Sequence, residues 1–296
     1  MDLAPAPLPE LPCRLREVWT AELPHAAGVV RFLLRGLVAG FGPLTSVEGA
    51  ERLAGLPEPA IFALNHNVTF ESLAAPAALL WLRRGRMIHF LIDWMYLHLP
   101  GVGWLMRQSD PIPVYGKPAR WRLGERHRRK RLRRPVVEAC LERLAAGCSL
   151  GIFPEGTRNR SGRLLPGRSG LGEVVLRSTA PVVPVGLRFP AAERLGRPPR
   201  LGRIVLVIGE PLEFQAERAQ AAGLSPHPRP LSHEWERGEQ QKMPSLCSPL
   251  PLAGEGLGVR ASRRSLARHV VAEVMSEIAR LSGKGRLVAE CERRAS

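Results

Sequence analysis

His66 and Glu71, five positions apart in the run Asn65-His66-Asn67-Val68-Thr69-Phe70-Glu71, are the first residues of this chain whose types suit chemistry. A carboxylate against one imidazole nitrogen fixes the tautomer and stabilises the imidazolium, which leaves the other nitrogen to take a proton from a hydroxyl. That is general-base machinery, and it needs no nucleophilic serine. Five residues of straight helix advance about 500°, so the two side chains meet only if His66 stays in a turn while Glu71 already stands on a helix. A turn histidine taken alone is more often a surface or capping residue, so the pair needs a second motif beside it. Phe153-Pro154-Glu155-Gly156-Thr157-Arg158-Asn159-Arg160-Ser161-Gly162 is that candidate. Gly156 permits close backbone approach, and the planar fork of Arg158 can donate two hydrogen bonds to one phosphate.

Both motifs call for a scaffold that presents them at strand ends. The apolar run Ala60 to Leu64 suits a buried strand; the polar turn Asn65 to Asn67 and a helical run to about Leu82 follow it. The same strand-then-helix rhythm returns at Met87 to Ile92, Ile112 to Tyr115, Ser149 to Phe153 and Val182 to Leu187. Arg203 to Ile208 reads as one more strand, closed by Gly209 and Pro211. Pro135 opens a helix over Val136 to Ala146, and Gly147 stops it. From Arg264 to Leu281 the apolar residues Leu266, Val270, Val274, Ile278 and Leu281 recur every three or four positions, the mark of an amphipathic helix that docks on the domain. The predicted fold class is α/β: a single domain with a mixed, largely parallel central sheet flanked by helices.

The two motifs, in this order and roughly 90 residues apart, resemble those of the glycerolipid acyltransferases, whose best-known members are 1-acylglycerol-3-phosphate acyltransferases. The family's Asn-His-x-x-x-x-Asp is matched at Asn65 and His66, with Glu71 where aspartate is commonest. Its Phe-Pro-Glu-Gly-Thr-Arg-Ser is matched from Phe153 through Arg158, and Asn159 stands in place of the serine, a change expected to matter little. Two further blocks agree: Pro111 to Lys117, where the family has a strand and then a basic residue, and Ala180 to Leu187, like its apolar proline-containing strand. The likeness covers about residues 49–223 and 263–283.

The resemblance implies a glycerol-3-phosphate acyltransferase-like fold and direct acyl transfer, with His66 as base and Glu71 orienting it. Glu155, Gly156, Thr157 and Arg158, with Lys117 nearby, would sit at the phosphate or glycerol end of a lysophospholipid acceptor. The donor would be acyl-CoA or an acylated carrier protein, with no metal and no tightly held cofactor. It also implies a place on the cytoplasmic face of the bacterial inner membrane, peripheral or monotopic.

Composition bounds the partners. A formal charge of +16 over 296 residues calls for an anionic one: nucleic acid, an anionic lipid surface or a phosphorylated substrate. Ten lysines and arginines between Lys117 and Arg134 face only Glu125, so much of that charge is local and suits anionic headgroups. A nucleic-acid-binding protein is the rival from another class, but few aromatics are placed for base stacking and no known binding module is legible. A catalytically silent lipid-binding relative is the other alternative, suggested by Glu71. Five cysteines without C-x-x-C or zinc spacing read as reduced thiols. The first residues lack the basic-then-apolar order of a cleaved signal peptide, so no export is expected.

Ala27 to Leu44 is apolar but carries Arg31 and Arg35, and Ile88 to Met106 holds Asp93 and Pro100; neither is a clean spanning helix. The first is as well suited to an interfacial helix as to a surface helix packed on the domain, and Trp94 to Met106 to an interface segment or to core. Residues 224–262 hold Pro226, Pro228, Pro230, Pro244, Pro249 and Pro251 and read as a disordered proline-rich insertion. The expected organisation is 1–48 with an amphipathic membrane-associating helix, 49–223 as the acyltransferase core, the insertion 224–262, and 263–296 with the docking helix and a polar tail.

Overall fold

The computed structural model describes residues 11, 14–67, 71–116, 118, 125, 135–159, 163–190, 202–223 and 255–286. Seven strands form one sheet in the order β1-β8-β7-β2-β5-β3-β4: β1 (Thr45–Glu48), β2 (Ile61–Leu64), β3 (Ile88–Asp93), β4 (Ile112–Val114), β5 (Ser149–Ile152), β7 (Val182–Arg188) and β8 (Ile204–Ile208). Only the β7–β8 pair is antiparallel; the other pairs are parallel. The sheet is therefore mixed and largely parallel, as the strand-then-helix rhythm implies. A second small sheet pairs β6 (Arg163–Leu164) with β9 (Gly285–Arg286).

Strand alternation distributes β2 between two cores. Phe62 and Leu64 join one cluster with Leu34, Val38 and residues 77–82, while Ile61 and Ala63 join the other with Val174, Val270, Val274 and Ile278. The first layer holds α2 (Gly28–Phe41) and α3 (Glu71–Leu82), next to α1 (Leu15–Thr20). The second holds α5 (Val136–Ala145), α6 (Ser169–Leu176), α7 (Gln215–Gly223) and α8 (Glu255–Ser282). Short α4 (Val102–Arg107) follows β3. Helix α3 is apolar around its whole circumference because it is covered by α2 as well as by the sheet.

Helix α8 docks as its apolar spacing requires. Val270, Val274 and Ile278 are fully buried, and each such side chain contributes about 1.5–3 kcal/mol. Its backbone comes close enough that a Cβ on Gly172 would strike the carbonyl of Ala267, and one on Gly186 would strike Leu281. The helix starts earlier than Arg264: residues 255–262, expected within the proline-rich insertion, are helical backbone. Pro251 is the last proline of the chain, so nothing after it removes a helical N–H. Residues 224–254, the rest of that stretch, lie outside the described residues.

In α2 the expected arginine face is used internally. Arg31 Nε donates to the Ala26 carbonyl (2.7 Å) and an Arg35 terminal nitrogen to the Ala21 carbonyl (3.0 Å). Leu34 and Val38 pack on the core, whereas Val29 and Phe32 stay exposed beside Leu15 and Trp19. The Trp94 to Met106 segment divides likewise: Trp94 is buried, and Val102 and Trp104 face outward. Among the described residues no helix is long and apolar enough to cross a membrane.

Candidate active site

The carboxyl ends of β2 and β5 lie side by side, and each strand runs straight into one of the two motifs. Asn65, just past β2, is fully buried; its amide donates to the Leu187 carbonyl (3.1 Å) and its oxygen accepts from the Leu187 N–H (2.7 Å). Those two bonds tie the end of β2 to β7. His66 follows in the turn, and Glu71 is the first residue of α3, which is the arrangement a five-residue separation demands.

His66 Nδ1 lies 3.1 Å from Glu71 Oε1. Glu71 is wholly buried, and an ionised carboxylate there needs donors. It accepts from the Asn67 backbone N–H at Oε1 and from the Asn67 side-chain amide at Oε2 (3.1 Å). The extra methylene of glutamate therefore reaches the imidazole. A carboxylate can only accept, so Nδ1 carries the proton and Nε2 is the nitrogen left to act as base. The imidazole is partly exposed and packs against Phe153, with ring centroids 4.5 Å apart. Phe153 is backed in turn by Phe90, whose ring fills the space that a side chain at Gly151 would occupy.

Glu155, which the resemblance places at the acceptor, has its side chain turned inward and is 3% exposed. Its Oε1 accepts from the His66 backbone N–H (3.0 Å), and its Oε2 accepts from Leu165 N–H (3.0 Å) and from the Asn159 amide (3.4 Å). A buried carboxylate is stable only when its lone pairs are met, and here backbone donors meet them. Asn159 likewise matters more than a small polar exchange would. It is buried, its backbone N–H donates to the His66 carbonyl (2.8 Å), and its amide also donates to the Arg163 carbonyl (2.5 Å). The second motif thus clamps the main chain of the first on both sides of His66.

Gly156, Thr157 and Arg158 lie exposed on the same loop. Gly156 has φ +65°, a backbone conformation that favours glycine, and the Arg168 side chain lies over it. Lys117 lies outside the described residues, as does nearly all of the basic run to Arg134. Sequence reasoning missed the side-chain roles of Asn67, Asn159 and Lys284. Lys284, beyond the end of α8, donates to the Asn67 oxygen, and no spacing signal connects residues 217 positions apart. Outside this site, Glu217, His269 and Glu273 bring their ligand-type atoms within 4.8 Å on the outer side of α7 and α8.

Residues 45–188, just under half of the chain, match the family model described as Acyltransferase. The chain is 29% identical over 143 residues to the chloroplastic 1-acyl-sn-glycerol-3-phosphate acyltransferase BAT2 of Brassica napus, covering 48% of this chain and 37% of that protein. It is 30% identical over 142 residues to the chloroplastic 1-acyl-sn-glycerol-3-phosphate acyltransferase LPAT1 of Arabidopsis thaliana, covering 48% of this chain and 35% of that one. The match thus spans little more than a third of the length of these curated relatives. The solved structure of the 1-acyl-sn-glycerophosphate acyltransferase PlsC from Thermotoga maritima superposes with a TM-score of 0.45 at 21% identity, over 63% of this chain and 71% of that one. The fold assignment above rests on the strand order itself.

Proposed function

We propose that this chain, whose residues 45–188 match the family model described as Acyltransferase, moves a fatty acyl group from a thioester onto the free hydroxyl of a lysophospholipid. The proposed acceptor is 1-acylglycerol-3-phosphate, the substrate class in the names of both plant relatives, and the product is phosphatidic acid. The donor is acyl-CoA or acylated carrier protein, both anionic and suited to a chain of charge +16.

The observation that carries this reading is the His66–Glu71 contact, Nδ1 to Oε1 at 3.1 Å, in a turn clamped by the second motif. His66 Nε2 takes the proton of the acceptor hydroxyl as its oxygen attacks the thioester carbonyl. Collapse of the tetrahedral adduct breaks the C–S bond, and the imidazolium returns its proton to the leaving thiolate. No acyl-enzyme forms. The exposed Arg158, with Thr157 and the backbone at Gly156, is assigned to the acceptor phosphate, where a guanidinium can donate two parallel bonds. The alternative of a silent relative drew on the length of Glu71, and the short contact with His66 speaks against it.

The exposed apolar side chains Leu15, Trp19, Val29 and Phe32, with Leu99, Val102 and Trp104 elsewhere, support residence at an anionic membrane surface. The deciding experiment presents the purified protein with a mixed pool of lysolipids and acyl donors and follows the lipids by mass spectrometry. Growth of a diacyl phospholipid at the expense of lysophosphatidate is the expected result; an unchanged lipid pool defeats the proposal.

A further inference from the structure

The described chain comes back to the site at a place the two motifs do not contain. Helix α8 ends at Ser282, Gly283 takes φ +67° to turn the chain, and Lys284 follows, with β9 immediately after it. Strand β9 pairs in parallel with β6, which continues the loop of the second motif, in the register Arg163 to Gly285. The helix that carries this segment is held by backbone-close contacts at Gly172 and Gly186, so its end is fixed relative to the sheet. From there Lys284 Nζ donates to Asn67 Oδ1.

Asn67 is fully buried, and its two amide atoms face opposite partners. Oδ1 accepts from Lys284, and Nδ2 donates to Glu71 Oε2 at 3.1 Å. An ammonium can only donate and a carboxylate can only accept, so the two partners fix the amide in one of its two flips and polarise it in one direction. Glu71 Oε1 completes the line at His66 Nδ1. The buried carboxylate is thereby connected through one amide to a cation, in addition to the neutral donors that meet it directly.

We propose that Lys284 is a positioning residue for the base: through Asn67 it holds Glu71, and through Glu71 it holds the His66 imidazole with Nε2 facing the acceptor. The proposal rests on the reading of His66 as general base. It gives the chain beyond α8 a part in the chemistry, reached through Asn67.

The test uses the full-length chain and four variants: Lys284→Met, Lys284→Arg, Asn67→Ala, and Lys284→Met combined with Asn67→Ala, all assayed with lysophosphatidate and an acyl thioester. Lys284→Met is expected to lower kcat by about tenfold, the loss typical of one charge-assisted hydrogen bond, with KM for both substrates unchanged. Lys284→Arg restores kcat to within about threefold, because the cation and the donor return. In the Asn67→Ala background the lysine substitution has no further effect, since its path is already cut. An unchanged kcat in Lys284→Met overturns the proposal, as does an equal loss with and without Asn67. A loss that arginine fails to restore, or one that follows the melting temperature, assigns Lys284 a packing role only and also overturns it. His66→Ala is run in parallel: retained transfer there defeats the general-base reading itself, whereas an inactive His66→Ala beside an unaffected Lys284→Met defeats the lysine proposal alone.

Discussion

At the two ends of the same parallel strands the protein buries charge in two different ways. Where β2 and β5 begin, Arg83 reaches Glu58 and Ser149 and lies over the Phe62 ring, 5.0 Å from its centroid. Ser149 Oγ donates to Glu58 (2.5 Å) and accepts from the Ala60 N–H (3.0 Å). Arg83 also donates to the carbonyls of Arg86 and Met87, both at 3.4 Å. Burial pushes its guanidinium below the ordinary arginine range, and the attraction of Glu58 opposes that only in part. In this cluster cation, anion and hydroxyl meet one another, and Glu58 also faces Arg86 at 3.8 Å on its solvent side.

Where the strands end, Glu71 and Glu155 are buried far more completely than Glu58, and their partners are backbone and side-chain amides and one imidazole. The line of bonds ends at His66, whose Nε2 is the proposed proton acceptor. A cluster of cation, anion and hydroxyl holds strands together; one that ends on an imidazole offers a ring nitrogen at its end. The difference follows from which partner carries a ring nitrogen that can accept a proton.

Replacing the imidazole gives the largest effect. His66→Ala is expected to reduce kcat by about a thousandfold, within the usual range for a general base, while the melting temperature stays near that of the parent. Kinetics beside a thermal melt check this, and a variant with full activity removes the distinction between the two ends. Breaking the Arg83 cluster should do the reverse. Arg83→Met is expected to destabilise the fold by about 3 kcal/mol, at the low end for a buried pair because Glu58 keeps some solvent, with kcat per folded molecule unchanged. Denaturant unfolding measures the first quantity and the acyl-transfer assay the second.

A smaller effect tests the clamp between the two motifs. Asn159→Ser puts in the serine of the motif that the sequence resembles but cannot span Glu155 and the Arg163 carbonyl together; a loss of about 1 kcal/mol is expected in the same unfolding experiment. A serine variant of full stability shows the amide to be dispensable. The smallest effect lies in the second core layer, where Cys140 is buried and its thiol is pushed up to about 12 by desolvation. It stays protonated at pH 8, so the folded protein should leave it unalkylated by maleimide, with reaction appearing only on unfolding. Because the folded value lies above the unfolded one, this thiol favours the folded state below about pH 9 and loses that contribution as pH rises toward about 12. Peptide mapping after labelling checks it.

Much of this was legible in the residues. The apolar run before Asn65, the alternation that splits Phe62 from Ile61, and the spacing of Val270, Val274 and Ile278 prescribe a buried strand and a docking helix from side-chain period alone. The short strand Thr45–Glu48 and the helix Gln215–Gly223 had no comparable signal. Thr45–Glu48 is short and only partly buried, and Gln215–Gly223 buries only Ala221.

By itself the sequence determined which groups could serve as base, orienting carboxylate and phosphate donor, because their types and order are local facts. Only the tertiary structure decided how those groups are used. It set Glu155 against the backbone of His66, made Asn159 a bridge, and brought Lys284 to Asn67 across 217 positions. The physical reason is burial. A carboxylate shut away from water takes whatever donors the fold brings within reach, and those donors come from chain segments that no spacing rule connects.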